Sequence, residues 1–184
     1  MSGGPAESAV ARGRELVSLF HSDQDSFGNL HAAAPERVPE AARRLLDHRS
    51  HMTVAMERAH GPVRLRVVDR REDAAGRYAR EILLLRADGR VVQHGIVRID
   101  IRRLAAETAA AIRGEAIPLG RILIEAGLLR DVHDVVLLEI EPGSHLRRLF
   151  DADTPAVYGR VATIDLDGVP TVELLEIVAP GFGP

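Results

Sequence analysis

Residues 78–101 read YAREILLLRADGRVVQHGIVRIDI, which is two β-rich runs on either side of Arg86-Ala87-Asp88-Gly89-Arg90. Asp-Gly between two such runs is a strong hairpin signal, because both residues tolerate the positive φ of a tight turn. Residues 158–166 and 171–178 flank Asp167-Gly168 in the same way. Strands joined by tight turns must be antiparallel, since parallel neighbours need long crossovers. The sequence therefore predicts an antiparallel sheet built from hairpins.

The segments around these hairpins predict the remaining elements. Apolar residues at helical spacing, with proline near the start or glycine at the end of some runs, predict helices over residues 7–20, 40–47, 104–113 and 118–126. Alternating apolar residues predict strands over residues 51–59, 63–68 and 132–140, and residues 21–34 are rich in turn formers and predict a loop. Residues 1–6 are expected to be disordered. The predicted fold is a single α+β domain over residues 1–184, with an antiparallel sheet of about six strands and helices covering one side.

The composition excludes several classes of function. The chain has 184 residues, no Cys and a net charge of -3, so disulfides, thiolate nucleophiles and an electrostatic nucleic-acid surface are not expected. No run approaches the roughly 20 apolar residues that span a bilayer, and the N-terminus lacks a secretion signal. These observations predict a cytoplasmic protein, a monomer or homodimer, with a small-molecule substrate and no nucleic-acid or membrane partner.

Motifs for metals, nucleotides and nucleophiles are missing from the sequence. His48 and His51 lie three residues apart, but no His-Glu-x-x-His pattern or acidic loop joins them to the other histidines. The chain also lacks glycine-rich phosphate loops and a Gly-x-Ser-x-Gly elbow. We therefore expect neither a metal site nor nucleophilic catalysis.

Charged residues inside the β-rich runs are the main candidates for chemistry. Because side chains alternate along a strand, Arg80 shares a face with Tyr78 and Ile82, and Arg98 shares one with Ile96. Glu176 lies in the last apolar run in the same manner. A buried guanidinium needs a carboxylate partner, either from the protein or from a ligand. Such residues predict either structural ion pairs or a site for an anionic small molecule.

Four segments give the sequence a family resemblance. The sequence resembles that of chorismate pyruvate-lyases in these four segments, which occur in the order of that family. They are Ser50-His51-Met52-Thr53 after Leu45-Leu46, residues 78–84 with Ala87-Asp88-Gly89, Pro118-Leu119-Gly120-Arg121, and residues 175–180. Together they extend over most of residues 44–180. The similarity is greatest to the divergent bacterial and plastid branch of the family.

The resemblance implies a fold, a reaction and a set of site residues. It implies a six-stranded antiparallel sheet with helical flaps over a buried ligand, and removal of pyruvate from chorismate to leave 4-hydroxybenzoate without a cofactor. Arg80 would hold the ring carboxylate and Glu176 would lie by the ring hydroxyl, these two being the catalytic residues. Further substrate-binding positions would be Met52, Thr53, Leu119 and Gly120.

Departures from the family pattern leave alternatives open. A second family arginine aligns with Ile96, so Arg98, two residues on, is expected to replace it, unless it is a surface charge or pairs with Asp100. A one-residue shift near the last strand makes Glu173 a rival of Glu176, and His51 stands where better-known members have Ser. Two other functions fit the same residues: a lyase acting on a modified chorismate, and an effector-sensing domain that binds a carboxylate without turnover.

Overall fold

Seven strands form one antiparallel sheet within residues 4–50 and 52–181, the part of the chain that the computed structural model describes. Their order across the sheet is β1-β5-β6-β7-β4-β3-β2. The strands are β1 (Gly28–Ala32), β2 (Arg64–Glu72), β3 (Arg77–Leu85), β4 (Val91–Asp100), β5 (Arg130–Pro142), β6 (Val157–Leu166) and β7 (Val169–Val178). The α-helices are α1 (Pro5–Ser18), α2 (Gln24–Phe27), α3 (Glu40–Leu46), α4 (Met52–His60), α5 (Ala106–Gly114), α6 (Leu119–Glu125) and α7 (Ser144–Phe150).

The two Asp-Gly turns form the predicted hairpins. Between β3 and β4, Arg86 donates its backbone N–H to the carbonyl of Arg90 over 2.9 Å, and Gly89 has a φ of 85°. Between β6 and β7, Asp167 and Gly168 have φ values of 51° and 79°. The positive φ explains why these residue types occupy the turns. The α+β class, the single domain and the antiparallel sheet are confirmed.

Helices lie against both faces of the sheet. On one face, α1, α2 and α7 bury a core that includes Leu16, Phe27 and Leu146. On the other face, α3 and α4 cover one part of the sheet and α5 and α6 the next. The helices on this second face occupy the position of the predicted flaps. None of the described helices is long and apolar enough to cross a membrane.

Several predicted elements are wrong. Residues 52–59, predicted as a strand, belong to helix α4, because buried Met52 and Met56 are four residues apart and fit a helix face as well as an alternating strand. The predicted loop at 21–34 contains α2 and β1, which brings the sheet to seven strands. Helix α7 was not predicted. Of the residues expected to be disordered, Pro5 and Ala6 begin α1, and residues 1–3 lie outside the described residues.

Candidate functional site

A cavity lies between the sheet and the helices of its second face. Strand register sets its floor, because paired residues of antiparallel neighbours point to the same face. Arg80 of β3 pairs with Val97 of β4, and Val97 pairs with Leu174 of β7. Two residues along the same strands, Gly95 of β4 pairs with Glu176 of β7. The floor is therefore mostly apolar and has a few charged side chains at defined positions.

Arg80 is a buried cation in the wall of this cavity. The residue is only 1% exposed, and among the described residues its Nε and Nη1 atoms have no hydrogen-bond partner. Burial lowers the pKa of Arg80, and the nearby Tyr78 and Glu115 oppose that shift. Glu115 instead accepts a hydrogen bond from the Tyr78 hydroxyl at 2.6 Å and pairs with Arg70 at 3.0 Å. The guanidinium of Arg80 can therefore receive an acceptor from outside the protein.

Glu176 lines the same cavity and is held by Arg160 of β6. The Nε atom of Arg160 donates to Oε2 of Glu176 at 2.8 Å, and Nε2 of Gln93 donates to Oε1 at 3.4 Å. The Nη1 atom of Arg160 also donates to the carbonyl oxygens of Leu46, at 3.1 Å, and His48, at 2.7 Å. Arg160 therefore fixes both the carboxylate and the chain that connects α3 to α4.

Sequence reasoning did not select Arg160. Its signal was the same as that of Arg80, a cation in an otherwise apolar strand, on the face of Ala162 and Ile164. The side chain is 2% exposed and lines the cavity together with Arg80. Of the described residues, two guanidinium groups and one carboxylate thus lie in the cavity wall.

The flap residues predicted from the resemblance lie around the same cavity. Met52 and Thr53 stand in the first turn of α4, and Leu119 and Gly120 stand in the first turn of α6. The structure therefore brings these four residues together with Arg80 and Glu176. Their contribution to binding stays a prediction. His51, whose role was left open, lies outside the described residues.

Arg98 does not line this cavity, and the prediction that it points to the same site as Arg80 is wrong. Because Val97 faces the cavity, Arg98 points to the opposite face, where α1 lies. Its guanidinium pairs with Glu173 at 2.6 Å and with Glu15 at 3.7 Å. The rival carboxylate Glu173 is on that face too, which leaves Glu176 in the cavity.

The alternative considered from the sequence, a pair between Arg98 and Asp100, does not form. The carboxylate of Asp100 instead accepts hydrogen bonds from Arg102 at 2.9 Å and from Arg103 at 3.0 Å. Both arginines follow Asp100 within three residues in the chain. The group that neutralises Arg98 therefore comes from β7, and the short-range pairing considered from the sequence does not form.

A second group of polar side chains lies on the opposite face of the sheet. We call His21, Glu81, His94 and His145 the histidine cluster. Its donor atoms lie within 4.8 Å of one another. The Nε2 atoms of His94 and His21 lie 2.7 Å and 2.9 Å from Oε1 of Glu81, and that of His145 lies 3.9 Å away. Burial would raise the pKa of Glu81, but its hydrogen bonds with His21 and His94 outweigh burial and hold the pKa at about 2.

Comparison with known proteins identifies the fold. No protein-family model and no curated protein matches this sequence. The structure is similar to a GntR-family transcriptional regulator from Enterococcus faecalis, with a TM-score of 0.51 and 9% identity over 66% of this chain and 96% of the other. It is also similar to the C-terminal domain of the histidine utilization repressor from Pseudomonas syringae, with a TM-score of 0.50 and 13% identity over 67% of this chain and 95% of the other. The fold is the chorismate-lyase-like α+β fold.

Proposed function

We propose that this protein binds a small cyclic carboxylate in the cavity beside Arg80. The observation that carries the proposal is a buried guanidinium that faces a cavity and has two nitrogen atoms without an acceptor in the part of the chain that the structure describes. Leaving buried donors unpaired costs about 1–3 kcal/mol, and more when the group is charged. A ligand carboxylate would accept from the planar fork of Arg80 and remove that cost. The apolar walls would contact the ring of such a ligand.

For the reaction, we propose elimination of pyruvate from chorismate. The ring carboxylate would pair with Arg80, and the ring hydroxyl would lie near Glu176, whose position Arg160 fixes. The ether C–O bond to the enolpyruvyl group breaks, the carbon bearing the hydroxyl loses its proton, and that proton ends on the released pyruvate. The ring becomes aromatic as 4-hydroxybenzoate, which supplies the driving force. This step needs no nucleophile, consistent with the absence of Cys and of a serine elbow from the sequence.

The charges of the cavity decide how a dianion would fit. Among the described residues Arg80 forms no ion pair, although the charge of Glu115 is nearby, whereas Arg160 is paired with Glu176. One carboxylate of chorismate would therefore be matched by Arg80. Arg98 lies on the other face of the sheet and cannot contact the second carboxylate of chorismate. The remaining guanidinium of the cavity is that of Arg160, whose charge is already matched by Glu176. We therefore expect 4-hydroxybenzoate, with one carboxylate, to bind well and to inhibit turnover.

A second candidate function is ligand sensing without turnover. It is favoured by the similarity in fold to regulator domains, including the C-terminal domain of a histidine utilization repressor. The same cavity and the same role of Arg80 would serve it. The two candidates differ in what happens to chorismate after it binds.

One experiment separates these outcomes. Purified protein is incubated with chorismate while pyruvate and 4-hydroxybenzoate are measured, and binding of both carboxylates is followed by calorimetry. Equimolar release of the two products supports the lyase, and binding without release supports the sensor. The matched variants are Arg80→Met in the cavity and Arg98→Gln on the other face. Binding that survives Arg80→Met, or no binding of either carboxylate to the unaltered protein, would overturn the proposal.

A further inference from the structure

The histidine cluster has the composition and geometry of a metal site. The scattered histidines of the sequence predict no such site, but folding brings together one side chain from each of four segments. His21 follows α1, Glu81 is on β3, His94 is on β4 and His145 is on α7. We propose that the histidine cluster binds one divalent transition-metal ion, in the manner of zinc, through three imidazole nitrogens and one carboxylate oxygen. The proposal does not depend on what binds in the Arg80 cavity.

The distances agree with four-coordinate zinc. Zinc bonds to nitrogen and oxygen of about 2.0–2.2 Å in a tetrahedron place neighbouring donor atoms about 3.3 Å apart. From Oε1 of Glu81, the three Nε2 atoms lie at 2.7, 2.9 and 3.9 Å, a set that brackets this value. All four donor atoms lie within 4.8 Å of one another. Small side-chain rotations are therefore enough to surround an ion.

His145 provides a second, independent observation. Its Nε2 atom is buried and has no hydrogen-bond partner within residues 4–50 and 52–181, although it lies near the carboxylate of Glu81. The separation of 3.9 Å is too long for a hydrogen bond. The same nitrogen could reach a metal ion placed between the two groups. Metal coordination would thus give this nitrogen the partner that it lacks.

The donor set selects the class of metal. Three imidazoles and one carboxylate suit zinc and its neighbours in the first transition row, whereas calcium and magnesium require mainly oxygen donors. Phe27 contributes an apolar shell on one side of the site, since its ring centroid lies 5.0 Å from that of His21 and 5.9 Å from that of His145. An apolar shell of this kind strengthens electrostatic attraction between ion and ligands.

The position of the histidine cluster indicates that a bound ion would stabilise the fold. Glu81 and His94 are direct neighbours, in sequence, of Arg80 and Gly95, which face the cavity on the other side of the sheet. An ion would connect the end of α1 and the start of α7 to strands β3 and β4. Because binding would occur in the folded chain alone, we expect the melting temperature to rise with the concentration of zinc.

Zinc titration of the protein, stripped with EDTA and dialysed, tests the proposal. Calorimetry should give one zinc ion per chain, and Co²⁺ in its place should give the intense visible absorption of a four-coordinate ion. His145→Ala changes a partly exposed residue, and melting in EDTA shows whether the variant is folded. Its zinc affinity should fall by at least about 100-fold, since changes outside the ligand shell alone cost 10- to 100-fold.

His133→Ala is the matched control. His133 also faces carboxylates, at 2.7 Å from Asp165 and 3.2 Å from Asp134, but it lies outside the histidine cluster. Its removal should leave zinc affinity unchanged. The proposal is overturned if the protein does not bind zinc at 1:1, if folded His145→Ala binds it as tightly as the unaltered protein, or if Co²⁺ shows the weak spectrum of six-coordination.

Discussion

Arg160 donates a hydrogen bond to Glu176 over 2.8 Å, and both side chains lie in the wall of the cavity. Leu174, on the same face of β7 as Glu176, is apolar. Glu173 lies on the opposite face of β7, where it pairs with Arg98 at 2.6 Å. Strand β7 therefore contributes two arginine–glutamate pairs, one at the cavity and one near the surface. Comparing the two pairs tests how burial changes the contribution of an ion pair to the free energy of unfolding.

Glu176→Gln should lower the free energy of unfolding by about 3–5 kcal/mol. The substitution leaves Arg160, 2% exposed, without a charged partner, and a buried unpaired charge is costly. Urea unfolding of both proteins measures the difference. Glu173→Gln is the control, because Arg98 and Glu173 are 18% and 32% exposed, and pairs that reach solvent contribute less than about 1 kcal/mol. Equal losses in the two variants would show that Arg160 does not depend on Glu176.

Arg80→Met should raise the stability of the protein while removing carboxylate binding. Arg80 forms no ion pair with any described residue, so replacing its buried charge by an apolar side chain of similar length removes a desolvation cost, and we expect a gain of about 1–2 kcal/mol. Loss of the charged hydrogen bonds to the ligand should cost about 2–5 kcal/mol of binding free energy. Urea unfolding and calorimetry with 4-hydroxybenzoate give the two numbers. A destabilised variant that still binds the carboxylate would assign Arg80 to the structure of the free protein.

Gly95→Val should reduce ligand binding at least 10-fold with a smaller effect on stability. Gly95 lines the cavity between Ile82 and Glu176 on the neighbouring strands, and a Cβ atom there would lie 3.2 Å from side-chain atoms of Ile82. Overfilling a packed space costs about 1–3 kcal/mol, and because the added methyl groups would occupy room for the ligand, we expect this cost mainly in the binding free energy. Gly114→Ala, at a helix end with open space around its Cβ position, is the control and should bind normally. Unchanged affinity of Gly95→Val would place the ligand elsewhere.

Stability should decrease between about pH 7 and 5, in part through His48. Burial and the charge of Arg160 lower the pKa of His48, and Glu176 opposes the shift. Above the usual pKa of about 6.5 the ring is neutral in both states, and below it the unfolded chain takes up the proton first, which favours unfolding. His48→Asn should therefore flatten this part of the profile of unfolding free energy against pH. A profile identical to that of the unaltered protein would exclude His48 as a source.

Local signals explain what the sequence could predict. The Asp-Gly turns depend on the φ values of two residues each, so the hairpins could be recognised without knowing the rest of the fold. Helix α4 was mistaken for a strand because a spacing of four between Met52 and Met56 satisfies both periodicities. β1 was missed because it lies in a turn-rich segment and pairs with β5, far along the chain.

For the candidate site too, features within one strand could be predicted from the sequence, whereas contacts between distant segments could not. Arg80 and Glu176 were selected because each is a charge in an apolar strand. Alternation shows which residues share a face of a strand, but it does not show which face holds a cavity, and Arg98 was therefore placed on the wrong side. The histidine cluster combines side chains from four separate segments, so no spacing in the sequence could reveal it.

The strand order also divides the cavity between two parts of the chain. Strands β2, β3 and β4 are neighbours in sequence and in the sheet, and so are β5, β6 and β7, so each set can form as a meander by local pairing. Arg80 belongs to the first meander, and Arg160 and Glu176 belong to the second. The two meanders meet where β4 pairs with β7. A ligand that contacts both Arg80 and Glu176 would therefore bridge the two meanders at the pairing of β4 with β7.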